Sequence, residues 1–156
     1  MSPATGAPVQ VRPVQAADLG PWVAMRSVLW PDADVIDLDS EAHALLDGGE
    51  AASAAFVAER DGVLLGFAEA TLRHDYVNGT TASPVGFLEA WYVAPAWRGR
   101  GVGRRLAAAV EAWTRARGCA ELASDAALDN AASQAAHAAC GFEETERVVY
   151  FRKQVG

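Results

Sequence analysis

The chain has little of what would assign a protein to a class at once. Its 156 residues include two cysteines, Cys119 and Cys140, which form neither a metal-binding spacing nor a disulfide framework. No apolar run approaches the length that crosses a membrane. The first residues, MSPATGAPVQ, lack the basic and apolar regions of a secretory signal. We therefore expect a cytoplasmic protein with no metal site and no membrane contact.

Basic residues are also scarce. The 13 Lys and Arg residues are outnumbered by 20 Asp and Glu residues, which gives a formal net charge of −7. Most of such a surface repels a polyanion, so nucleic acid is excluded as a general partner and a cationic partner is favoured. The length fits one domain, which we predict over residues 9–156 after a flexible N-terminal tail at 1–8.

Apolar periodicity and turn residues predict a mixed arrangement of helices and strands. Two apolar runs flank Asp61-Gly62 and predict an antiparallel hairpin over 54–75, because this dipeptide tolerates the positive φ of a tight turn. Further strands are predicted at 9–14, 85–93, 120–126 and 142–155, and helices at 18–29, 40–48, 101–117 and 130–140. This order is typical of an α/β protein with a parallel crossover in its second half.

The basic residues that do occur are concentrated in one turn. The segment WRGRGVGRR (97–105) holds three glycines and four arginines. A P-loop needs Lys followed by Ser or Thr after its second glycine, where Arg104 and Arg105 stand here, and a dinucleotide-binding fingerprint belongs near the first strand. What remains is a turn whose glycines let backbone N–H groups approach an anion at a helix N-terminus.

The pattern Arg98-x-x-Gly101-x-Gly103, between a strand ending in V-x-P and an amphipathic helix, resembles the acyl-CoA motif of the GNAT N-acetyltransferase superfamily. A helix that opens at Asn130 and ends in Gly141-Phe142, another recurring feature of that superfamily, follows in the right order. The resemblance implies an α/β (α+β) fold, the GNAT acyl-CoA N-acyltransferase fold. Its sheet is expected to be mixed and mostly antiparallel, with about six to seven strands flanked by about four helices.

Four further segments resemble one branch of that superfamily, the aminoglycoside 6′-N-acetyltransferases. They are RHDYVNG (73–79), SPVGFLEAWYV (83–93), ASDA (123–126) and GFEETERVVYFRK (141–153). These segments lie outside the cofactor motif, so they bear on the acceptor. The resemblance implies direct transfer of an acetyl group from acetyl-CoA to the 6′-amine of an aminoglycoside antibiotic.

The resemblance also implies which residues bind acetyl-CoA. The backbone amides of residues 100–104 are expected to hold the pyrophosphate, the strand edge at 91–93 to bond the pantetheine arm, and the Val93 N–H to stabilise the oxyanion. His137 stands where many relatives have a tyrosine that protonates the CoA thiolate, and either His137 or water is left to do so here. The expected cofactor residues are Trp91, Tyr92, Val93, Arg98, Arg100, Gly101, Val102, Gly103, Arg104, Asn130 and His137.

Carboxylates are expected to bind the acceptor amine and to accept its proton. Glu89 interrupts an otherwise apolar strand, where a carboxylate needs a partner or a ligand. We predict that Glu89 is the base or holds a water, that Asp125 anchors the amine, and that Glu146 is a third acidic wall. Trp22 and Tyr76 are predicted as aromatic walls against the sugar rings, although packing in the core explains Trp22 equally well.

The last segment (142–155) supplies one long strand where many relatives have two. The open sheet edge predicts a homodimer with strands paired or exchanged between the chains. Two alternatives stay open for the function. One is an acetyltransferase for another primary amine, such as a polyamine or a protein N-terminus; the other is a CoA-binding module without catalysis.

Overall fold

The structure is a computed structural model that describes residues 6–156. The first five residues of the tail predicted at 1–8 lie outside the described residues. The strands are β1 (Gln10–Pro13), β2 (Ser53–Arg60), β3 (Val63–Arg73), β4 (Val85–Val93) and β5 (Leu122–Ser124). The α-helices are α1 (Leu19–Leu29), α2 (Val35–Asp47), α3 (Val102–Ala116) and α4 (Ala131–Ala139).

The strands form one mixed sheet in the order β1-β2-β3-β4-β5. The first three pairings are antiparallel and the last, between β4 and β5, is parallel. A parallel pair needs a crossover connection, which α3 provides. The predicted fold class and the four helices are confirmed, but the described chain has five strands and the prediction of six to seven is wrong.

The C-terminal segment accounts for the difference. The strand predicted at 142–155 is not formed: residues 142–156 have no regular secondary structure, and residues 143–156 are exposed throughout. A strand exists only where a neighbouring strand pairs with its N–H and C=O groups, and no strand of the described chain does so here. The segment thus has the sequence pattern of a strand but no strand partner among the described residues.

Local rules account for most of the element boundaries. Asp61 and Gly62 have φ angles of 52° and 79°, the positive values that the predicted hairpin turn requires. Helix α2 begins earlier than residue 40, because the Asp34 carboxylate accepts the Ile36 N–H at 2.7 Å and caps the helix. The start predicted at residue 40 is therefore too late.

Apolar layers cover both faces of the sheet. Leu106, Val110 and Trp113 of α3 belong to one buried layer. Trp22 of α1 and Leu38 of α2 belong to the other. The sheet is thus held between α3 on one side and the α1–α2 pair on the other, which fixes β4 and leaves its carboxyl end at the rim of the molecule.

Candidate active site

The two parallel strands separate part-way along their length. Strand β5 pairs with β4 only from Gly86 opposite Leu122 to Leu88 opposite Ser124, whereas β4 runs on to Val93. No strand of the described chain pairs with the outer edge of residues 89–93. Backbone groups on that edge are therefore open to a ligand, at the carboxyl end of two parallel strands where ligands of such sheets bind.

The pairing pattern shows which backbone groups of β4 point into this gap. The Ala94 N–H donates to the Leu65 carbonyl at 2.8 Å, so Val93, opposite Gly66, directs its own N–H and C=O away from β3. The Val93 carbonyl accepts from Arg98 Nε at 2.9 Å. The Val93 N–H points into the gap, where the sequence predicts an oxyanion donor.

Two of the predicted ligand residues, Tyr92 and Trp22, have buried side chains. Tyr92 pairs with Phe67 of β3, so its backbone groups point away from the gap. Its side chain is buried, and its ring centroid lies 5.9 Å from that of Phe67. Trp22 is 0% exposed and donates its indole N–H to Glu69 Oε2 at 3.0 Å. Of its two readings, packing in the core is the one observed, because the apolar face of α1 buries it.

The glycine turn forms an anion cradle at the start of α3. Gly99 and Gly101 adopt left-handed φ angles of 74° and 83°, which a side chain would strain. The first helical bond runs from the Arg105 N–H to the Gly101 carbonyl at 3.1 Å. The N–H groups of residues 102–104 therefore have no partner within the helix and point outward from its N-terminus, where the dipole favours an anion.

Some side chains of the turn present exposed positive charge, and others hold the turn against β4. Arg100 is exposed, with its guanidinium 5.1 Å from the centre of the Trp97 ring. Arg98 is partly committed to the end of β4 through its bond to the Val93 carbonyl. The Trp91 indole N–H donates to the Gly103 carbonyl at 2.9 Å, which ties the β4 edge to the cradle. Arg104 is exposed on the first turn of α3, whereas the Val102 side chain is buried, so only the Val102 backbone can meet a ligand.

Glu89 lies at an irregularity of β4 that the sequence did not reveal. Glu69 of β3 pairs with Ala90 and the next residue pairs with Leu88, so Glu89 is the extra residue of a β-bulge. Its carboxylate accepts the Thr71 hydroxyl at 2.6 Å and both Arg73 Nε and Nη2 at 2.8–3.0 Å. The predicted partner for this carboxylate is therefore a guanidinium, which fixes it at the rim with 31% of its side chain exposed.

Three predicted acceptor residues line one cleft of about 1430 Å³: Tyr76, Asp125 and Glu146. Asp125 is exposed directly after β5, Tyr76 is on the loop after β3, and Glu146 is on the exposed C-terminal segment. Glu89 itself is not part of the lining, but its partner Arg73 is. The structure thus places the acidic residues around one opening, with Glu89 at its margin.

Asn130 and His137 are both held by other parts of the protein. Asn130 caps α4, its side-chain oxygen accepting the Ser133 N–H at 3.0 Å. His137 Nδ1 lies 2.7 Å from the Ser133 carbonyl, which can only accept, so Nδ1 carries a proton. His137 Nε2 lies 2.7 Å from the hydroxyl of Ser124, and its ring meets Trp91 edge-on at 5.1 Å. Ser124, at the point where β5 leaves β4, was not singled out by the sequence.

A charged cluster between β3 and the α1–α2 pair was also missed. Glu69 is 4% exposed and pairs with Arg26 of α1 at 3.0 and 3.1 Å, and Arg26 reaches Glu41 of α2 at 3.0 Å. Burial raises the pKa of Glu69 to about 7, although Arg26 and the Trp22 indole oppose that rise. The Arg26 guanidinium lies 4.9 Å from the centre of the Trp30 ring at the end of α1, and Trp30 is more exposed than Trp22. The cluster ties α1 and α2 to β3.

The described residues contain no group of three His, Cys, Asp or Glu side chains that could hold a metal ion. Both cysteines are free, Cys119 buried and Cys140 half-buried. Within residues 6–156 no helix is both long and apolar enough to cross a bilayer.

Known proteins resemble the chain along most of its length. The profile of the Acetyltransferase (GNAT) family matches residues 22–142. An aminoglycoside N(6′)-acetyltransferase type 1 from Stenotrophomonas maltophilia is 57% identical over 142 residues, which cover 91% of each chain. A protein of the same name from Salmonella typhimurium is 45% identical over 150 residues, covering 94% of this chain and 99% of its own.

Solved structures show the same arrangement. Aminoglycoside N-acetyltransferase AAC(6′)-Iy in complex with CoA superposes with a TM-score of 0.91 at 41% identity, over 99% of this chain and 100% of that one. AAC(6′)-Iy with the bisubstrate analogue CoA-S-monomethyl-acetylneamine gives 0.90 at 42% identity, over 96% and 100%. With the anion cradle, the split between β4 and β5 and the family match in agreement, the chain belongs to the GNAT family of acetyltransferases.

Proposed function

We propose that the protein is an aminoglycoside 6′-N-acetyltransferase, which transfers the acetyl group of acetyl-CoA directly to the 6′-amine of an aminoglycoside and so confers resistance. One observation carries the proposal: Asp125, Glu146 and His137 line one cleft with Glu89 at its margin, and the His137 ring meets Trp91, which joins the free edge of β4 to the anion cradle. A polycationic sugar suits such a cleft. Relatives that carry this enzyme name at 40–57% identity support the substrate class.

The cradle and the β4 edge fit the requirements of acetyl-CoA. The N–H groups of residues 102–104 and the dipole of α3 hold the pyrophosphate, with charge from Arg100 and Arg104. Arg98 adds charge while it braces the end of β4. The outward backbone groups of Trp91 bond the pantetheine arm in place of a sixth strand, which brings the thioester to the Val93 N–H.

Glu89 and Val93 then serve the transfer itself. Glu89, held by Arg73 and Thr71, accepts a proton from the ammonium of the substrate directly or through one water. The freed amine attacks the thioester carbon, so an N–C bond forms and the C–S bond breaks. The Val93 N–H donates to the carbonyl oxygen as negative charge develops on it. The sulfur leaves as a thiolate and receives the second proton that the attacking nitrogen loses on forming the amide, through water or through His137.

The remaining acidic residues recognise the acceptor. Asp125 anchors the amine-bearing ring, because an exposed carboxylate after β5 pairs with an ammonium group. Glu146 binds a second ammonium from the C-terminal segment, and Tyr76 stacks against a sugar ring. Asn130 shapes the cofactor side only as the cap of α4.

We also propose that the protein is a homodimer that acts in the cytoplasm. The C-terminal segment exposes a row of apolar side chains, with Val149, Tyr150 and Phe151 at 72%, 83% and 92% exposure. A contiguous apolar segment with unpaired backbone groups is a typical protein contact. A second copy that pairs or exchanges this segment supplies the missing strand. Two free cysteines suit a reducing compartment.

The test is thiol release from acetyl-CoA by purified protein in the presence of kanamycin, tobramycin, spermidine or a short peptide. We expect release with both aminoglycosides and at most slow release with the other amines. Release with spermidine or the peptide alone would favour an acetyltransferase for another amine. Binding of acetyl-CoA without release for any amine would indicate a CoA-binding module.

A further inference from the structure

We infer that Glu121 is a positioning residue for the acceptor, because its carboxylate holds the loop that carries Tyr76. This loop, residues 74–84 between β3 and β4, is called the acceptor loop below. The inference rests on the proposed function, since Tyr76 is an acceptor wall only in that account. Glu121 itself is not proposed to touch the substrate or the cofactor.

Three hydrogen bonds converge on a single oxygen of Glu121. Its Oε1 accepts the Thr81 N–H at 2.9 Å, the Ala82 N–H at 2.7 Å and the Thr81 hydroxyl at 3.2 Å. The bonds from these amides, Thr81 foremost, lower the pKa of Glu121, which keeps the group ionised at neutral pH. Amide bonds to an ionised oxygen are among the stronger hydrogen bonds of proteins.

Hydrogen bonds within the acceptor loop hold its residues together, so we expect the loop to move as one unit. The Ser83 hydroxyl donates to the His74 carbonyl at 2.7 Å and closes the loop at its base. The Thr80 N–H and hydroxyl both donate to the Val77 carbonyl, at 3.1 and 2.8 Å. With its interior fixed in this way, the position of Tyr76 depends on what attaches the loop to the sheet.

Glu121 attaches the acceptor loop to β5, the strand that Asp125, the proposed anchor of the amine, directly follows. It immediately precedes β5, and its carbonyl accepts the Gly86 N–H at 3.1 Å, so its backbone is locked against β4. Asp125 follows at the other end of the same short strand. One carboxylate therefore sets the spacing between Tyr76 and Asp125, two walls of the cleft.

A second contact links the acceptor loop to the C-terminal segment beside Glu146, the third residue that lines the cleft. Gly79, at the tip of the acceptor loop with a φ of 83°, lies directly against the side chain of Thr145. Thr145 immediately precedes Glu146 on the C-terminal segment. A loop released by loss of the Glu121 carboxylate would thus disturb the acceptor side on both flanks, while the cradle at residues 100–104 lies on separate elements.

The test compares wild type with Glu121→Ala, Glu121→Gln and the control Asp47→Ala. Asp47 is an exposed residue at the end of α2, outside the lining of the cleft. In Glu121→Ala we expect the KM for kanamycin to rise on the order of tenfold with the KM for acetyl-CoA unchanged. Glu121→Gln stays within about threefold of wild type, because its amide oxygen can accept the same bonds.

Hydrogen exchange followed by mass spectrometry supplies a readout that needs no turnover. In wild type the amides of Thr81 and Ala82 are expected to be protected, and in Glu121→Ala they exchange faster while β3 and β4 do not. An unchanged kanamycin KM, unprotected loop amides in wild type, or an equal loss for both substrates together with a lower Tm would overturn the inference. If wild type fails to turn over kanamycin, the proposed function fails, whereas the exchange data still decide whether Glu121 holds the loop.

Discussion

At the scale of single residues, the proposed chemistry depends on the orientation of the Glu89 carboxylate. Strict alternation along β4 would give this residue no particular partner, but the bulge and the Arg73 guanidinium hold its carboxylate at the rim of the cleft. Because Arg73 binds both carboxylate oxygens, the group enters the reaction already oriented. A misplacement of about 1 Å would cost the geometry that acid–base catalysis needs.

The first prediction concerns this carboxylate. Glu89→Gln keeps the bond from Thr71 and the shape of the side chain but cannot accept a proton. We expect kcat with kanamycin to fall by about 10²-fold or more, with the KM for acetyl-CoA unchanged, in steady-state assays. The control Asp47→Asn, at an exposed position outside the cleft, retains wild-type kcat. A kcat for Glu89→Gln within about threefold of wild type would exclude Glu89 as the base.

The second prediction concerns Glu69, whose pKa of about 7 stands above the ordinary 4.5 because the group is buried. Below the ordinary value the group is protonated in both states. Between the two values the folded state binds the proton more tightly, so the contribution of Glu69 to the free energy of unfolding falls as pH rises, and it is constant above the higher value.

Glu69→Gln removes this titration. Urea unfolding of both proteins at about pH 5 and about pH 8 measures the difference, and we expect the stability of wild type relative to Glu69→Gln to be lower at the higher pH. A relative stability that increases with pH would mean that Arg26 outweighs burial and that the pKa is lowered instead.

At the scale of elements, close packing of β3 on β4 sets the edge that the cofactor uses. A Cβ added to Gly66 would lie 2.5 Å from the Tyr92 carbonyl oxygen and 3.2 Å from Val93 Cα. We predict that Gly66→Ala lowers the free energy of unfolding by about 1–3 kcal/mol, because backbone must shift to admit the methyl group.

Gly20 of α1 is the matched control, since a Cβ there meets nothing within 4 Å. Gly20→Ala is expected to leave stability unchanged or to raise it by up to about 1 kcal/mol, through helix propensity. Urea unfolding measures both variants. Equal stabilities for Gly66→Ala and wild type would contradict the tight β3–β4 contact and the fixed edge at Val93.

Most elements were predictable from the sequence because their signals are local. The Asp61-Gly62 turn, the apolar stripe of α3 and the glycines before it each depend on neighbouring residues, and all lie where predicted. The bulge at Glu89 was not predictable, because it depends on the register of β4 against β3. Trp22 was ambiguous for a related reason, since only the packed fold shows which face of α1 is buried.

The sequence also did not predict the side-chain pairs between distant segments. Arg73 with Glu89, Ser124 with His137 and Glu121 with the acceptor loop join residues that are 13 to 40 positions apart in the sequence. No local pattern encodes such pairs. The resemblance supplied the acceptor residues Tyr76, Asp125 and Glu146, whose arrangement around one cleft then needed the fold.

At the scale of the whole molecule, the exposed C-terminal segment predicts the oligomeric state. Phe151 is 92% exposed on a segment without a strand partner. We expect the mass of two chains by light scattering at micromolar concentration, and a shift toward one chain for Phe151→Asp. Ile36→Asp, at a position on α2 that is 75% exposed, is the control and stays dimeric. A monomeric wild type would contradict the proposed dimer.

The net charge of −7 predicts how salt affects the reaction. A negative field attracts a polycationic aminoglycoside and is screened as ionic strength rises. We expect kcat/KM for kanamycin to fall severalfold between about 50 mM and about 500 mM NaCl, measured at saturating acetyl-CoA. A kcat/KM independent of salt would mean that the acidic cleft does not attract the substrate through its charge.

The central claim is that the protein acetylates the 6′-amine of an aminoglycoside. The most direct measurement is fragmentation mass spectrometry of the product formed from kanamycin and acetyl-CoA. The account predicts a single added acetyl group on the ring that bears the 6′-amine, absent when the enzyme is omitted. An acetyl group on another ring, or no acetylated kanamycin at all, would contradict it.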